Sequence, residues 1–302
     1  MSLSKYEILN TIVEVGSLTK AAEKLHLTQS GVSYAISTLE AELGISLLKR
    51  SHSGISLTSN GARILPYVKR ILDEEKLLRQ EIAAIKNLDT GIVRLGTLSS
   101  VSAQWLPGIL AYFNERYPHI EVKTYLGCYD EMDTWISNGT IDFGFVSLPT
   151  SKPFDTIALK RDKLRVILPP NHPLRHQKTI SYNQIKEECF IMPLWGSDDN
   201  IRRILNKHKL NLRVKYELME ERTILAMVQK SLGISILPEL ILVNVPDDIH
   251  IVDLEEEDYR LVGIAALSLK DMPSAARKFL DCICSWLRDN HIADFEQHSV
   301  GN

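Results

Sequence analysis

The chain has 302 residues, 44% hydrophobic content and a formal net charge of −3, values that exclude a disordered protein and leave room for two or three compact units. The first residues lack a signal-peptide pattern and no apolar run approaches roughly 18 residues, so we expect a cytoplasmic protein. The four cysteines fit neither a disulfide framework nor a zinc site, although a redox switch remains an alternative.

A helix-turn-helix is predicted between Ser17 and Gly44. Ser17 and Thr28 are expected N-caps of two short helices, with His26 and Leu27 in the turn between them. One side of the second helix is apolar and predicted to be buried: Val32, Ile36, Leu39 and Leu43. Its other side carries the hydroxyl and amide groups that suit base edges and phosphates: Gln29, Ser30, Ser33, Tyr34 and Ser37. A packed helical hairpin that does not bind DNA is the alternative.

Residues 45–58 predict a hairpin of two short strands that turns at Gly54. Lys49, Arg50 and His52 lie on this hairpin. A cation or an imidazole there can contact a phosphate or enter a minor groove. Simple solvation of three surface side chains is the alternative interpretation.

A long helix is predicted from Asn60 to Leu88. Its apolar residues follow steps of three and four, interrupted by Glu75, as in a coiled-coil seam: Ile64, Val68, Ile71, Leu78, Ile82 and Ile85. We therefore predict a homodimer held by this helix, with packing of the helix on its own domain as the alternative. Asn87, Asp89 and Gly91 predict a hinge after it.

The remaining residues, from 90 to 302, alternate between strands and helices. The first part predicts a βαβαβ unit with a helix over Ser102–Arg116, and a second unit of the same kind follows. A terminal amphipathic helix is predicted over Pro273–Asp289. This alternation of strands and helices predicts an α/β fold of two lobes. In such folds, ligands bind beyond the carboxyl ends of the strands and between the lobes.

That rule selects a set of candidate effector-binding residues after the predicted strands: Ser99, Ser100, Ser102, Cys128, Ser147, Trp195, Gly196 and Thr223. Serine hydroxyls and free N–H groups at a helix start hold anions, so an anionic metabolite is one expectation. Helix capping by these serines, and plain packing by the tryptophan, are the alternatives.

The motifs GSLTKAAEKLHLTQSGVS, LEAELG, LLKR and LTSNG in the first 88 residues resemble the LysR-type transcriptional regulators. NGTIDFGFV, PPNHPLR and LGISILP resemble the effector-binding half of the same family more loosely. The resemblance implies a winged helix-turn-helix over residues 1–59, a linker helix over 60–89 that dimerises, and an effector-binding domain over 90–302. That domain is implied to be two Rossmann-like lobes related to periplasmic binding proteins.

The resemblance also implies lobe boundaries and site residues. The chain crosses between lobes near Ser151–Thr156 and near Tyr259–Ala266. The first lobe then comprises residues of about 90–155 and 266–302, and the second those of about 156–265. Contacts with DNA are implied for the recognition helix and the wing: Thr28, Gln29, Ser30, Ser33 and Arg50. This chain departs from the family by placing Tyr34 and Ser53 where basic residues are frequent.

The implied function is regulation of transcription through DNA and a small-molecule effector. The resemblance implies a homodimer or homotetramer on an interrupted palindrome, with RNA polymerase as a further candidate partner. No catalytic, metal or cofactor site is expected, because the sequence lacks GxSxG, HExxH, a P-loop and a GxGxxG after a strand. A cytoplasmic enzyme or a solute-binding protein using the α/β cleft is the alternative function.

Overall fold

A computed structural model describes residues 2–51, 54–85, 90–194 and 197–294 of the chain. The chain separates into two compact units, residues 1–88 and 89–302. In the described part, no helix has the length and apolar composition that crossing a bilayer requires.

The N-terminal unit packs three helices, a hairpin and a long helix around one core. Its elements are α1 (Leu3–Val15), α2 (Leu18–Lys24), α3 (Gln29–Leu43), β1 (Leu48–Ser51), β2 (Gly54–Leu57) and α4 (Ser59–Ile85). The predicted caps form: Ser17 Oγ accepts from the Lys20 N–H at 3.4 Å, and Thr28 Oγ1 accepts from the Gly31 N–H at 3.1 Å. Gly44 ends α3 in the left-handed conformation, with φ of 67°.

The apolar stripe of α3 is buried as predicted, since Val32, Ile36 and Leu39 are at most 6% exposed and Leu43 packs beside them.

The start of α4 lies directly against the base of the hairpin. A Cβ at Gly61 would stand 2.1 Å from the Leu47 carbonyl oxygen, so this helix position requires glycine.

The C-terminal unit is a two-lobed α/β structure. Its elements are β3 (Gly91–Thr97), α5 (Ser99–Gln104), α6 (Leu106–Arg116), β4 (Ile120–Leu126), α7 (Tyr129–Ser137), β5 (Phe143–Leu148), β6 (Asp155–Leu168), β7 (Thr179–Ile180), α8 (Tyr182–Lys186), β8 (Cys189–Pro193), α9 (Ser197–Lys207), β9 (Arg213–Leu218), α10 (Glu221–Gln229), β10 (Ser235–Pro238), a 3-10 turn (Glu239–Ile241), β11 (His250–Leu254), β12 (Tyr259–Ala266) and α11 (Ser274–Asp289).

The main sheet has the strand order β4-β3-β5-β12-β6-β11-β7, with β10 also paired to β6. Strand β3 runs parallel to β4 and β5, as the predicted βαβαβ unit requires, whereas β12 runs antiparallel to both of its neighbours. The parallel pair β8 and β9 forms a second small sheet. The helix predicted over Ser102–Arg116 is two helices, α5 and α6, which meet at Trp105 just before Pro107.

The first crossing between the lobes falls later in the chain than expected. Strand β6 is 14 residues long and serves both lobes, because Leu159 packs in the core of the first lobe and Leu164 in the core of the second. On the return, Leu254 belongs to the second core and Val262 to the first. The first crossing therefore lies between Leu159 and Leu164 rather than near Ser151–Thr156, and the second overlaps the expected stretch Tyr259–Ala266. The extended backbone of β6 passes between the lobes without a turn that a sequence pattern would mark.

Candidate functional site

Helix α3 presents the polar surface that its sequence pattern predicted. Gln29, Ser30 and Ser37 are exposed, Ser33 is half-buried, and the Tyr34 side chain is 75% exposed. The N-cap Thr28 is exposed as well, and its Oγ1 lies 3.2 Å from Ser30 Oγ. This face offers hydroxyl and amide groups together with one large aromatic ring. Such groups hydrogen-bond to base edges and phosphates or pack on a thymine methyl.

The hairpin after α3 forms a four-residue antiparallel pair, with Leu48 opposite Leu57 and Ser51 opposite Gly54. Lys49 is exposed on its first strand. The side chain of Arg50, together with His52 and Ser53, lies outside the described residues. The wing is thus present as a backbone element beside α3, with one described cation on it.

Glu40 connects the recognition helix to this wing and was missed by the sequence analysis. Its Oε1 accepts from the backbone N–H of Leu47 at 2.6 Å and of Leu48 at 3.0 Å, and from Ser46 Oγ at 3.3 Å. A carboxylate that accepts two backbone N–H bonds fixes the angle between the two elements. Its position in the LEAELG segment, four residues before the Gly44 turn, was the available signal.

The predicted dimer seam along α4 divides into two parts. Val68 is 2% exposed and, with Ile64 and Leu72 beside it, packs in the core of its own unit. The assignment of Val68 to a seam between two chains was therefore wrong, because its side chain is already buried within one chain. Ile71, Leu78 and Ile82 are 42%, 61% and 43% exposed. The Ile85 side chain, Asn87 and Asp89 lie outside the described residues.

The three serines at the start of α5 differ in their surroundings. Ser99 is exposed, and its Oγ donates to Glu221 Oε1 in the second lobe at 3.0 Å. Ser100 is 3% exposed and accepts from Arg260, and Ser102 Oγ lies 3.1 Å from Thr97 Oγ1. Two of the three hydroxyls thus have partners inside the first lobe and its crossing strands, and Ser99 alone of the three lines a cavity between the lobes.

A buried ion pair joins the two crossing strands, and the sequence analysis did not find it. Arg260 on β12 donates from Nε to Asp162 Oδ2 on β6 at 2.7 Å and from Nη2 to Ser100 Oγ at 2.7 Å. Arg260 is 2% exposed and Asp162 is fully buried. Asp162 Oδ1 also accepts from the Leu240 N–H at 2.9 Å. Burial alone would lower the pKa of Arg260, but Tyr129 and Asp162 outweigh it, so the pKa is raised and the guanidinium stays charged.

Two cavities lie at the cleft between the lobes. One of about 270 Å³ is lined by residues of α7, of the end of β5 and the segment after it, and of α9: Tyr129, Asp130, Asp133, Val146, Ser147, Leu148, Pro149, Thr150, Ser151 and Arg203. The other, of about 40 Å³, is lined by Leu98, Ser99, Leu126, Gly127, Tyr129, Glu221 and Arg260. Among the predicted site residues, Ser147 lines the larger cavity and Ser99 the smaller one.

The other predicted cleft residues take structural positions or fall outside the described part. Cys128 is the N-cap of α7, and its N–H donates to Glu131 Oε2 at 2.9 Å. Thr223 Oγ1 donates to Glu220 Oε2 at 2.6 Å. Trp195 and Gly196 lie outside the described residues.

Three cysteines have a raised thiol pKa, which does not favour the redox switch considered above. Burial raises the pKa of the Cys128 and Cys282 thiols and raises that of Cys284 to about 12. Reactive sensor cysteines have a lowered thiol pKa, because the thiolate is the nucleophile. These three thiols therefore lack the lowered pKa of a redox sensor.

Comparison with known proteins gives a consistent result for both units. The family model described as "LysR substrate binding domain" matches residues 86–288, and the model "Bacterial regulatory helix-turn-helix protein, lysR family" matches residues 3–62. The uncharacterized HTH-type transcriptional regulator YvbU of Bacillus subtilis (strain 168) is 31% identical over 284 residues, which covers 93% of this chain and 97% of that protein.

Two solved structures share the fold over almost the whole chain. Full-length OxyR from Pseudomonas aeruginosa, in a single-site variant, has a TM-score of 0.77 at 20% identity, with 99% of each chain covered. Full-length CbnR in complex with its target DNA has a TM-score of 0.68 at 20% identity and covers 95% of this chain and 100% of that one.

Proposed function

This chain belongs to the LysR family of bacterial transcriptional regulators, and from that premise we propose that it binds an interrupted palindrome in DNA as a homo-oligomer. Its DNA binding or bending responds to a small metabolite held between its two α/β lobes. The chain is a regulator with a DNA-binding helix-turn-helix and an effector-binding domain, rather than an enzyme. The proposal assigns residues 1–59 to DNA, 60–89 to dimerisation and 90–302 to the effector, and it places the protein in the cytoplasm, where bacterial DNA lies.

The observation that carries DNA binding is the exposed polar face of α3, which is fixed to the hairpin through Glu40. An ordinary solvated helix face is rich in Lys and Glu, whereas this one carries hydroxyl, amide and phenol groups. We propose that the recognition helix and wing contact DNA through nine residues: Thr28, Gln29, Ser30, Ser33, Tyr34, Ser37, Lys49, Arg50 and His52.

Ser33→Ala tests base-specific contact. The hydroxyl lies in the middle of the polar face, so we expect its loss to weaken binding to the specific site by about 1–3 kcal/mol and to leave binding to random DNA nearly unchanged. Gel-shift titration on the upstream region of its own gene, with random DNA of equal length, measures both. Ser137→Ala, the same chemical change on α7, is the matched control. An equal loss on both DNAs would show that Ser33 does not read sequence.

The proposed dimer uses the exposed apolar residues of α4, namely Ile71, Leu78 and Ile82. The prediction also includes Ile85, whose side chain lies outside the described residues. Three large apolar side chains along one helix stripe need a partner surface in water. A second copy of α4 offers the same stripe, as in an isologous pair. We propose that two such dimers form a tetramer on DNA and that RNA polymerase is a further partner.

The proposed effector site is the cleft with the 270 Å³ cavity, at the end of β5 where ligands of α/β folds bind. A thermal-shift screen of the full chain against a metabolite panel tests it, because a ligand at about 100 times its Kd stabilises by about 2.7 kcal/mol. We expect Thr150→Trp to fill the cavity and abolish the shift caused by any active compound. A compound that stabilises this variant as strongly as the natural chain binds somewhere other than the cleft.

A further inference from the structure

The smaller cavity is closed by a hydrogen bond that spans the two lobes. Ser99 Oγ at the start of α5 donates to Glu221 Oε1 in the first turn of α10, at 3.0 Å. The carboxylate is half-buried and lines the cavity, and the dipole of the nine-residue α10 favours a negative charge at this end. The serine hydroxyl that would serve an incoming anion is therefore already bound to a carboxylate of the protein.

The positive charges at the cleft are engaged elsewhere. Arg260 pairs with the fully buried Asp162 and bonds Ser100, and its Nη1 lies 3.5 Å from the Tyr129 hydroxyl. Arg203 is exposed and donates from Nη2 to the Tyr259 carbonyl at 3.3 Å. Both guanidinium groups thus have acceptors within the chain before any ligand arrives.

The other charged side chains in the described lining of the two cavities are carboxylates. Glu221 belongs to the smaller cavity, and Asp130 and Asp133 belong to the larger one, while Tyr129 lines both. Asp133 accepts from Ser151. Lys152, which is outside both linings, donates to the Asp133 carbonyl at 3.2 Å and to Ser137 Oγ at 3.0 Å. Arg203 offsets one of the two aspartates of the larger cavity, and Arg260 is offset by Asp162, so each lining keeps a net negative charge. An anion in this cleft would therefore be repelled and a cation attracted.

We propose that the effector of this regulator carries a positively charged nitrogen, as an amine or a guanidine, and that this group replaces the Ser99 hydroxyl as the partner of Glu221. The inference rests on the proposed function, because it assumes that the effector binds in the cleft. It differs from the anionic metabolite that the serine cluster suggested, since all three of those serines already have partners in the chain.

Isothermal titration of the full chain tests the proposal with two panels of small compounds. The cationic panel is putrescine, agmatine and ethanolamine, and the anionic panel is succinate, citrate and 3-phosphoglycerate. We expect saturable binding of at least one cationic compound and no tighter binding by any anionic one. Glu221→Gln keeps the shape but removes the charge, so it should weaken that compound at least tenfold. Glu217→Gln, an exposed carboxylate of the same lobe that lines neither cavity, should leave its Kd unchanged.

The outcomes separate this proposal from the cleft assignment. Tighter binding of an anionic compound, no binding by the cationic panel, or an unchanged Kd in Glu221→Gln would each overturn the charge assignment. A cationic compound whose binding survives in Thr150→Trp would instead show that the ligand lies outside the cleft, which contradicts the proposed effector site itself.

Discussion

Arg260→Met is expected to lower the free energy of unfolding of the C-terminal unit by about 3–5 kcal/mol. The substitution removes the partner of Asp162, which is fully buried and sits 2.7 Å from the guanidinium. The carboxylate then keeps the Leu240 N–H as a neutral donor, and Ser100 loses the Arg260 donor that its hydroxyl accepts from. A buried charge without its counter-charge is among the costliest changes a single substitution makes. Urea denaturation followed by circular dichroism measures the loss.

Two further variants isolate the cause of that loss. Lys163, the neighbour of Asp162 on β6, pairs with Glu257, but its side chain is 48% exposed, so we expect Lys163→Met to change the free energy of unfolding little. Combining Arg260→Met with Asp162→Leu removes both charges and should recover most of the stability. If the double variant is as unstable as the single one, packing around Arg260, rather than the unpaired charge, accounts for the effect.

Ile71→Asp combined with Leu78→Asp is expected to dissociate the dimer. The two positions lie seven residues apart on α4 and are 42% and 61% exposed in one chain, which fits an apolar seam that a partner covers. The dimer would bury four carboxylates without partners. Since desolvation costs several kcal/mol per ion, we expect the dimer Kd to rise by a factor of about 1,000 or more, and binding to the palindrome to fall with it. Light scattering and gel shift measure the two effects.

The matched control places the same groups on the opposite side of the helix. Ala62→Asp with Lys76→Asp also adds two aspartates to α4, at exposed positions outside the proposed seam. Its mass in solution should stay that of the natural chain. A persistent dimer in the seam variant would show that the chains associate through another surface.

The local elements could be predicted from the sequence because their causes are local. The caps Ser17 and Thr28 and the apolar stripe of α3 depend on residues within one or two turns, and all of them form. Val68 could not be assigned, because a heptad position and a core position of the same domain give the same spacing. The structure resolves this by its burial in the chain's own core.

The cleft was harder to predict because its contacts join distant parts of the chain. Ser100 and Arg260 are 160 residues apart, and Ser99 and Glu221 are 122 apart. The sequence pattern correctly predicted serines just after the first strand of the α/β half. It could not show which distant side chain hydrogen-bonds to each serine hydroxyl. The course of β6 through both lobes was hidden for the same reason, since strand pairing rather than a turn residue defines the crossing.

Gly61 at the start of α4 lies against the Leu47 carbonyl, and Glu40 on the recognition helix accepts hydrogen bonds from the backbone of the hairpin. The recognition helix, the hairpin and the start of α4 are therefore expected to move together. Helix α4 has 27 residues and is therefore about 40 Å long. If α4 tilts by roughly 5° about its C-terminal end, the recognition helix at its other end moves by about 3.5 Å, which is close to the rise of one base pair. In the proposed dimer, a rotation of this size would therefore change which base-pair step each recognition helix contacts.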